Sequence, residues 1–324
     1  MTITNIYYYL KPFIPRKLQL FLRRVLISKK RAYYQNIWPI DEKAGRKPRH
    51  WRGWPDQKEF ALVLTHDVDT AKGQSKCQKL MQIEMELGFR SVFNFVPERY
   101  RVHPELLYFL KNNGFEIGVH GLKHDGKLYK SEETFKQRAV LINKYLNEWK
   151  AVGFRSPAMH HNLEWLHELD IEYDASTFDT DPFEPQSDGV STIFPFKVNS
   201  KSNQKGYIEL PYTLPQDHLL FIIKKETSLN TWKQKLDWIV ANGGMALLNV
   251  HPDYLNFENR KCSIEEYSAE FYTDFLRYIK NNYEGRYWHA LPKEIAHYWS
   301  NFAIELQEDK GGMINSKSMC FHYS

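Results

Sequence analysis

Three places in this sequence carry residues of the kinds that hold metal ions and move protons, and each lies where an apolar run stops. Residues 60 to 70 read FALVLTHDVDT and end in His66, Asp67 and Asp69. Residues 115 to 124 read FEIGVHGLKH, with His120 and His124 four apart, and residues 245 to 254, MALLNVHPDY, carry His251 near their end. Two imidazoles at that spacing face one ion if a helical turn follows Gly121. A carboxylate from Asp69 would complete a two-histidine, one-aspartate set that keeps positions open for water and substrate, as a catalytic metal needs. Nitrogen and oxygen ligands of this kind suit zinc first, and also accept cobalt, nickel, manganese or iron. Asp67 is then available for a different duty. Arg155, in GFRSPA, and Asp174, in YDAS, add two more polar groups at the ends of apolar segments.

The elements that must position these groups alternate between strand and helix. FALVLTHDV is apolar enough to be a strand covered on both faces, as in a parallel sheet or barrel. A helix is expected over residues 72 to 87, with Gly88 placed to end it, then a strand at 89 to 96. Next come a helix from Pro104 to Asn112 and a third strand at FEIGVHG. A long helix follows Ser131, AVGFRSP reads as strand four, residues 162 to 169 as a short helix, and IEYDAS as strand five. Around residues 178 to 217 the rhythm breaks into an insertion whose STIFPFKV and YIELPYTLP segments are expected to lie outside the main sheet and wall a binding site. A helix at 228 to 241, the strand MALLNV, an amphipathic helix in SIEEYSAEFYTDFLRYIKNNYEG, and a last strand and helix complete the pattern. The implied architecture is α/β, with strand carboxyl ends forming a common rim where sites collect. The division read from the chain is an arm and linker over 1–55, a main domain over 56–305 and a polar tail over 306–324.

At 324 residues and 42% hydrophobic content the chain has enough material for a substantial core. Cys77, Cys262 and Cys320 have neither paired nor metal-type spacing, which argues against a disulfide scaffold and a cysteine zinc site and fits a reducing compartment. The net charge of +5 is unevenly spread. Residues 1 to 55 contain 13 Lys or Arg against Asp41 and Glu42 alone, so the rest of the chain is net acidic. Within the arm, Leu18, Phe21, Leu22 and Val25 mark one helical face, with Arg23, Arg24, Lys29, Lys30 and Arg31 largely elsewhere. Such a helix, over residues 10 to 31, is expected to lie on an anionic membrane, dock on the protein's own acidic domain or meet a partner; nucleic acid fits less well. No run is long enough to span a bilayer, and nothing in the arm reads as a secretory signal. A cytoplasmic location, at the inner face of the cell membrane, is the expectation. No nucleotide-binding motif is present.

In order along the chain, LTHDVD, HGLKHD, GFRSPA, YDAS and LLNVH resemble the motifs of the polysaccharide deacetylase family, metal-dependent carbohydrate esterases sharing the domain first described in chitooligosaccharide deacetylases. The resemblance spans residues 60 to 255 and implies an irregular (β/α)7-type barrel. It implies that Asp67 is the general base, that Asp69, His120 and His124 hold a divalent metal, and that Arg155 pairs with the base. It further implies that His251 is the general acid and that Asp174 orients or charges it. Two departures stand out: Val68 separates the two aspartates, as in one subset of the family, and Ala158 follows the proline where an aromatic residue is usual. The backbone N–H of Ala158 is retained as an oxyanion donor. The substrate implied is an N-acetylated carbohydrate, nucleotide- or lipid-linked if the protein is cytoplasmic, and the role implied is cell-surface polysaccharide biosynthesis. Hydrolysis of a cyclic amide or of an O-acetyl ester, and glycan binding without catalysis, are the alternatives. His66 is expected to support the site from behind or to pack there, with ligation of the metal as the alternative; His160 and His161 are expected near the site, in an ordinary loop or in contact with substrate. Trp165, Phe178, Phe183, Phe194 and Tyr212 are read as core or, alternatively, as sugar-stacking rings.

Overall fold

The computed structural model describes residues 15–200, 206–258 and 261–308. Its centre is β1 (Phe60–Val68), nine residues buried throughout, as its unbroken apolar composition requires of a strand covered on both faces. Parallel neighbours follow in chain order: β2 (Val92–Phe95), β3 (Glu116–His120), β4 (Gly153–Arg155) and β5 (Tyr173–Asp174). β6 (Phe196–Val198) and β7 (Tyr207–Glu209) form the next pair, and β7 runs parallel beside β5 while β6 is antiparallel to β7. β8 (Met245–Asn249) lies parallel to β1 on its other edge. A small pair, β9 (Leu255–Asn256) and β10 (Tyr267–Ser268), stands apart, and β11 (Tyr287–His289) pairs with the first three residues of β1.

The ring runs from β8 through β1 to β7 and is bridged back to β8 by the segment after β7. Thr213 and Leu214 N–H donate to the Leu247 carbonyl at 3.1 Å each, and the Thr213 hydroxyl donates to the Met245 carbonyl at 2.7 Å. Seven parallel strands in a curled, partly open ring are the expected irregular barrel. The expectation that STIFPFKV and YIELPYTLP lie outside the main sheet is corrected: Phe196–Val198 is its antiparallel edge strand, and Tyr207–Glu209 is one of the seven, with Asp174 in register with Glu209. Its short run and flanking prolines hid it, because a strand of three residues shows no periodicity.

Helices clothe the ring. α1 (Arg16–Tyr34) precedes it; α2 (Cys77–Leu87) is separated by Ser75 and Lys76 from a single turn, Ala71–Gln74, and ends at Gly88 with φ 85°. α3 (Pro104–Asn112) and α4 (Glu132–Glu148) follow, the latter capped by Ser131, whose hydroxyl accepts from Thr134 N–H at 3.1 Å. α5 (Asn230–Asn242), α6 (Glu270–Tyr283) and α7 (Pro292–Glu308) complete the layer. None of the described helices is long and apolar enough to cross a membrane. Phe178, Phe183, Phe194 and Tyr212 are core residues, and Trp165 stacks on Tyr129, so these rings pack the protein. Cys77 is buried, while Cys320 and the polar tail beyond Glu308 lie outside the described residues.

Candidate metal centre and active site

The rim at the carboxyl ends of the strands gathers most of the residues singled out from the sequence. Asp67 is the penultimate residue of β1, His120 closes β3, Arg155 closes β4, Asp174 closes β5, and His251 follows β8 by two residues. Asp69, His120 and His124 present their ligand atoms within 4.8 Å of one another. Asp69 Oδ1 lies 3.4 Å from His120 Nε2 and 3.1 Å from His124 Nε2. The chain after His120 is not helical, contrary to the expectation from spacing. Gly121 and His124 both take positive φ, 59° and 52°, and this loop, with no helical turn, sets the two rings side by side with centroids 5.2 Å apart.

The three residues fit a divalent cation. Asp69 Oδ1 is buried yet accepts no hydrogen bond, which is costly unless a cation takes its charge. His120 Nδ1 sits 3.0 Å from the Arg155 carbonyl, so that nitrogen is the donor and Nε2 keeps its lone pair for a metal. Burial alone would raise Asp69, but positive charge on the His124 and His120 side of it, which a bound cation would supply, outweighs burial and holds its carboxyl well below the usual range. Asp253 supports this residue from below: its Oδ2 accepts from the Asp69 N–H at 2.9 Å, and its Oδ1 accepts from the Thr70 hydroxyl. Gly73 leaves room for it, since a Cβ there would sit 2.1 Å from Asp253 Oδ2.

Asp67 occupies a different environment. Its two oxygens accept from Asn94 Nδ2 at 3.0 Å and Asn249 Nδ2 at 2.8 Å, and Arg155 Nε lies 3.7 Å from Oδ1. The fully buried guanidinium of Arg155 makes no hydrogen bond among the described residues, so it acts on Asp67 by charge. Burial pushes Asp67 up, but His120, Arg155 and His251 together outweigh it, and the carboxyl stays below its ordinary value. Gly118 belongs to this arrangement as well: a Cβ on it would meet Asn94 Oδ1 at 2.0 Å.

His251 is held by Asp217, not by Asp174. Asp217 Oδ1 is 2.7 Å from His251 Nδ1, while Asp217 Oδ2 accepts from the His251 N–H at 2.9 Å and the Tyr267 hydroxyl at 3.0 Å. Burial opposes protonation of His251, yet Asp217 above all, with Asp69 and Asp67, lifts its pKa to about 10. Asp174 instead accepts from the Ser176 N–H at 3.0 Å and its hydroxyl at 2.6 Å, beside Glu209. Burial and the charge of Asp174 push Glu209 far up, so Glu209 is the protonated partner of that pair. The role assigned to Asp174 therefore passes to Asp217. The strand-end pattern pointed to the wrong carboxylate because Asp217 comes from the loop after β7.

His66 serves from behind, as expected: Nδ1 is 2.9 Å from the Val250 carbonyl and Nε2 2.7 Å from Glu84 Oε1. His161 Nδ1 lies 2.9 Å from the Met159 carbonyl, in the turn where Ala158 is exposed with φ 55°. Besides Asp217, sequence reasoning missed Asn94 and Asn249, whose neutral amides have no chemistry of their own and gain meaning only beside Asp67.

No protein-family model matches this chain, and no curated protein does. Solved structures do match in fold. A putative polysaccharide deacetylase from Mycobacterium smegmatis is 18% identical with a TM-score of 0.59, covering 86% of this chain and 99% of that one. A probable polysaccharide deacetylase from Pseudomonas aeruginosa PAO1 is 16% identical with a TM-score of 0.60, covering 82% and 98%. PuuE allantoinase is also 16% identical with a TM-score of 0.60, covering 81% and 97%. The chain shares the fold of these proteins, the fold that the sequence resemblance implied.

Proposed function

We propose that this protein is a metal-dependent hydrolase that removes the acetyl group from an N-acetylated sugar or glycan intermediate. The observation that carries the reading is the pairing of a two-histidine, one-aspartate cluster with two differently tuned neighbours: Asp67, kept ionised, and His251, kept protonated. Two groups pushed apart in this way are what a base and an acid require. The donor set favours zinc, with cobalt, nickel, manganese or iron as substitutes. A cation held by Asp69, His120 and His124 would polarise the acyl oxygen and lower the pKa of a bound water.

The chain's own residues account for the proton movements. Asp67, fixed by Asn94 and Asn249 and kept charged by Arg155, takes the proton of the attacking water. The exposed turn at Ala158 offers its backbone N–H to the developing oxyanion. His251, oriented through Nδ1 by Asp217, directs Nε2 to the departing nitrogen and protonates it, because an amide nitrogen leaves poorly as an anion.

The substrate in this reading is a carbohydrate on a nucleotide or lipid carrier, processed at the cytoplasmic side during surface-polysaccharide synthesis. Acetate release from a panel of nucleotide- and lipid-linked N-acetyl sugars, with and without added metal, tests it. The match to an allantoinase as good as that to the deacetylases favours one other reading, hydrolysis of a cyclic amide. Ring opening of allantoin with no acetate release from any sugar would decide for that reading and against ours.

A further inference from the structure

Helix α1 is mounted the reverse of an ordinary surface helix. Such a helix turns its apolar stripe to the core and its charges to water. Here only Leu20 and Ile27 are buried, and arginines share their side. Arg24 Nη2 donates to the Ile222 carbonyl at 2.8 Å, Arg16 Nε meets Glu265 Oε1 at 2.5 Å, and Arg23 is half-buried. The opposite side carries Leu18, Phe21, Leu22, Val25 and Leu26, with 45%, 59%, 39%, 37% and 61% of their surface exposed. Lys29 stands exposed on that same side and Lys17 at its edge, one turn before Phe21, with no ion pair among the described residues. The first 40 residues contain eight Lys or Arg and no Asp or Glu.

We infer that this outer face of α1 is a docking surface for an anionic lipid bilayer. An apolar row alone would suit several partners, but the charge pattern selects among them. A second copy of the chain would pair the face with itself and bring Lys17 and Lys29 against like charges. A soluble acidic partner would match the lysines and leave a large apolar row to find its own complement. A bilayer interface meets both needs: its headgroups take the cations and its acyl boundary takes the leucines and Phe21. The inner side of α1 packs on the segment His218–Ile223, which begins one residue after Asp217. Docking thus brings the candidate site beside the lipid and, granted the deacetylase reading, selects a lipid-linked carbohydrate as its substrate.

The test is co-sedimentation of the full chain with phosphatidylglycerol vesicles and with phosphatidylcholine vesicles, without substrate, so that its outcome is independent of the reaction. Binding is expected to the anionic vesicles, weakened at least tenfold when salt rises from about 0.1 to about 1 M and the screening length shrinks from about 10 to about 3 Å. The double variant Lys17→Gln/Lys29→Gln is expected to bind about 30-fold more weakly. Phe21→Gln/Leu22→Gln is expected to abolish binding while leaving the melting temperature and the hydrolysis of a soluble substrate unchanged. Equal binding to both vesicle types, no binding to either, or binding indifferent to both double variants would overturn the inference. So would light scattering that shows a dimer dissociated by Phe21→Gln/Leu22→Gln in place of vesicle binding.

Discussion

Replacing Asp217 with asparagine removes the charge that keeps His251 protonated while preserving the shape of the side chain. In the native protein the carboxylate sits 2.7 Å from His251 Nδ1, and the imidazole pKa stands at about 10. An unperturbed histidine titrates near 6.5. With Asp217 neutral, burial again favours the uncharged ring, and only Asp67 and Asp69 still oppose it. The acid limb of catalysis, the one lost as pH rises, is expected to move down by about two to three units. Near pH 8.5 that leaves roughly a quarter to a thirtieth of the donor protonated, so kcat falls about 4- to 30-fold, whereas near pH 6 the loss is slight. Stability follows the same sign. Because the folded pKa is raised, the pair's contribution is complete below about pH 6.5 and is lost as pH climbs through about 10. The native protein should therefore melt above Asp217→Asn at pH 7, with the gap closing toward pH 10. Profiles of kcat and of melting temperature between pH 5.5 and about 10 measure both effects. A loss of the same size at every pH, with the alkaline limb unmoved, would refute the role given to Asp217.

Asp174→Asn is expected to leave that alkaline limb in place, because Asp174 faces Ser176 and Glu209 and makes no contact with His251; the same pH profile checks it. Asp69→Ala and His120→Ala are expected to lose both bound metal, measured by equilibrium dialysis, and turnover, whereas His251→Gln keeps the metal and loses turnover. Gly73→Ala places a methyl 2.1 Å from Asp253 Oδ2, so Asp253 must release Asp69 or the backbone must shift. A loss of about 1–3 kcal/mol in urea unfolding is expected, together with weaker metal retention. Chelation should abolish hydrolysis, and added zinc or cobalt should restore it.

Much of the barrel was legible because its strands are buried on both faces and its helices are amphipathic. β1, with nine buried residues ending in His66, Asp67 and Val68, announces itself from composition alone. Asp69, His120 and His124 were found because their residue types have few other reasons to gather at strand ends. Asp217 was not, since it arrives on a loop between a three-residue strand and the short segment His218–Ile223, where no period shows. Asn94 and Asn249 were invisible for another reason: their value lies in the distance to Asp67 across two neighbouring strands, a relation of register that local pattern does not encode. The apolar face of α1 was recognised as a face, but that it points outward, with arginines beneath, is a property of how the helix docks.

The claim beneath the whole account is that Asp69, His120 and His124 grip one cation. Crystals grown with zinc, measured on either side of its absorption edge, test it directly. A single strong anomalous peak is expected, bonded to Asp69 and to both histidine Nε2 atoms at about 2.0–2.2 Å and lost in Asp69→Ala. Native crystals with no peak there, under conditions where the protein hydrolyses its substrate, would contradict it.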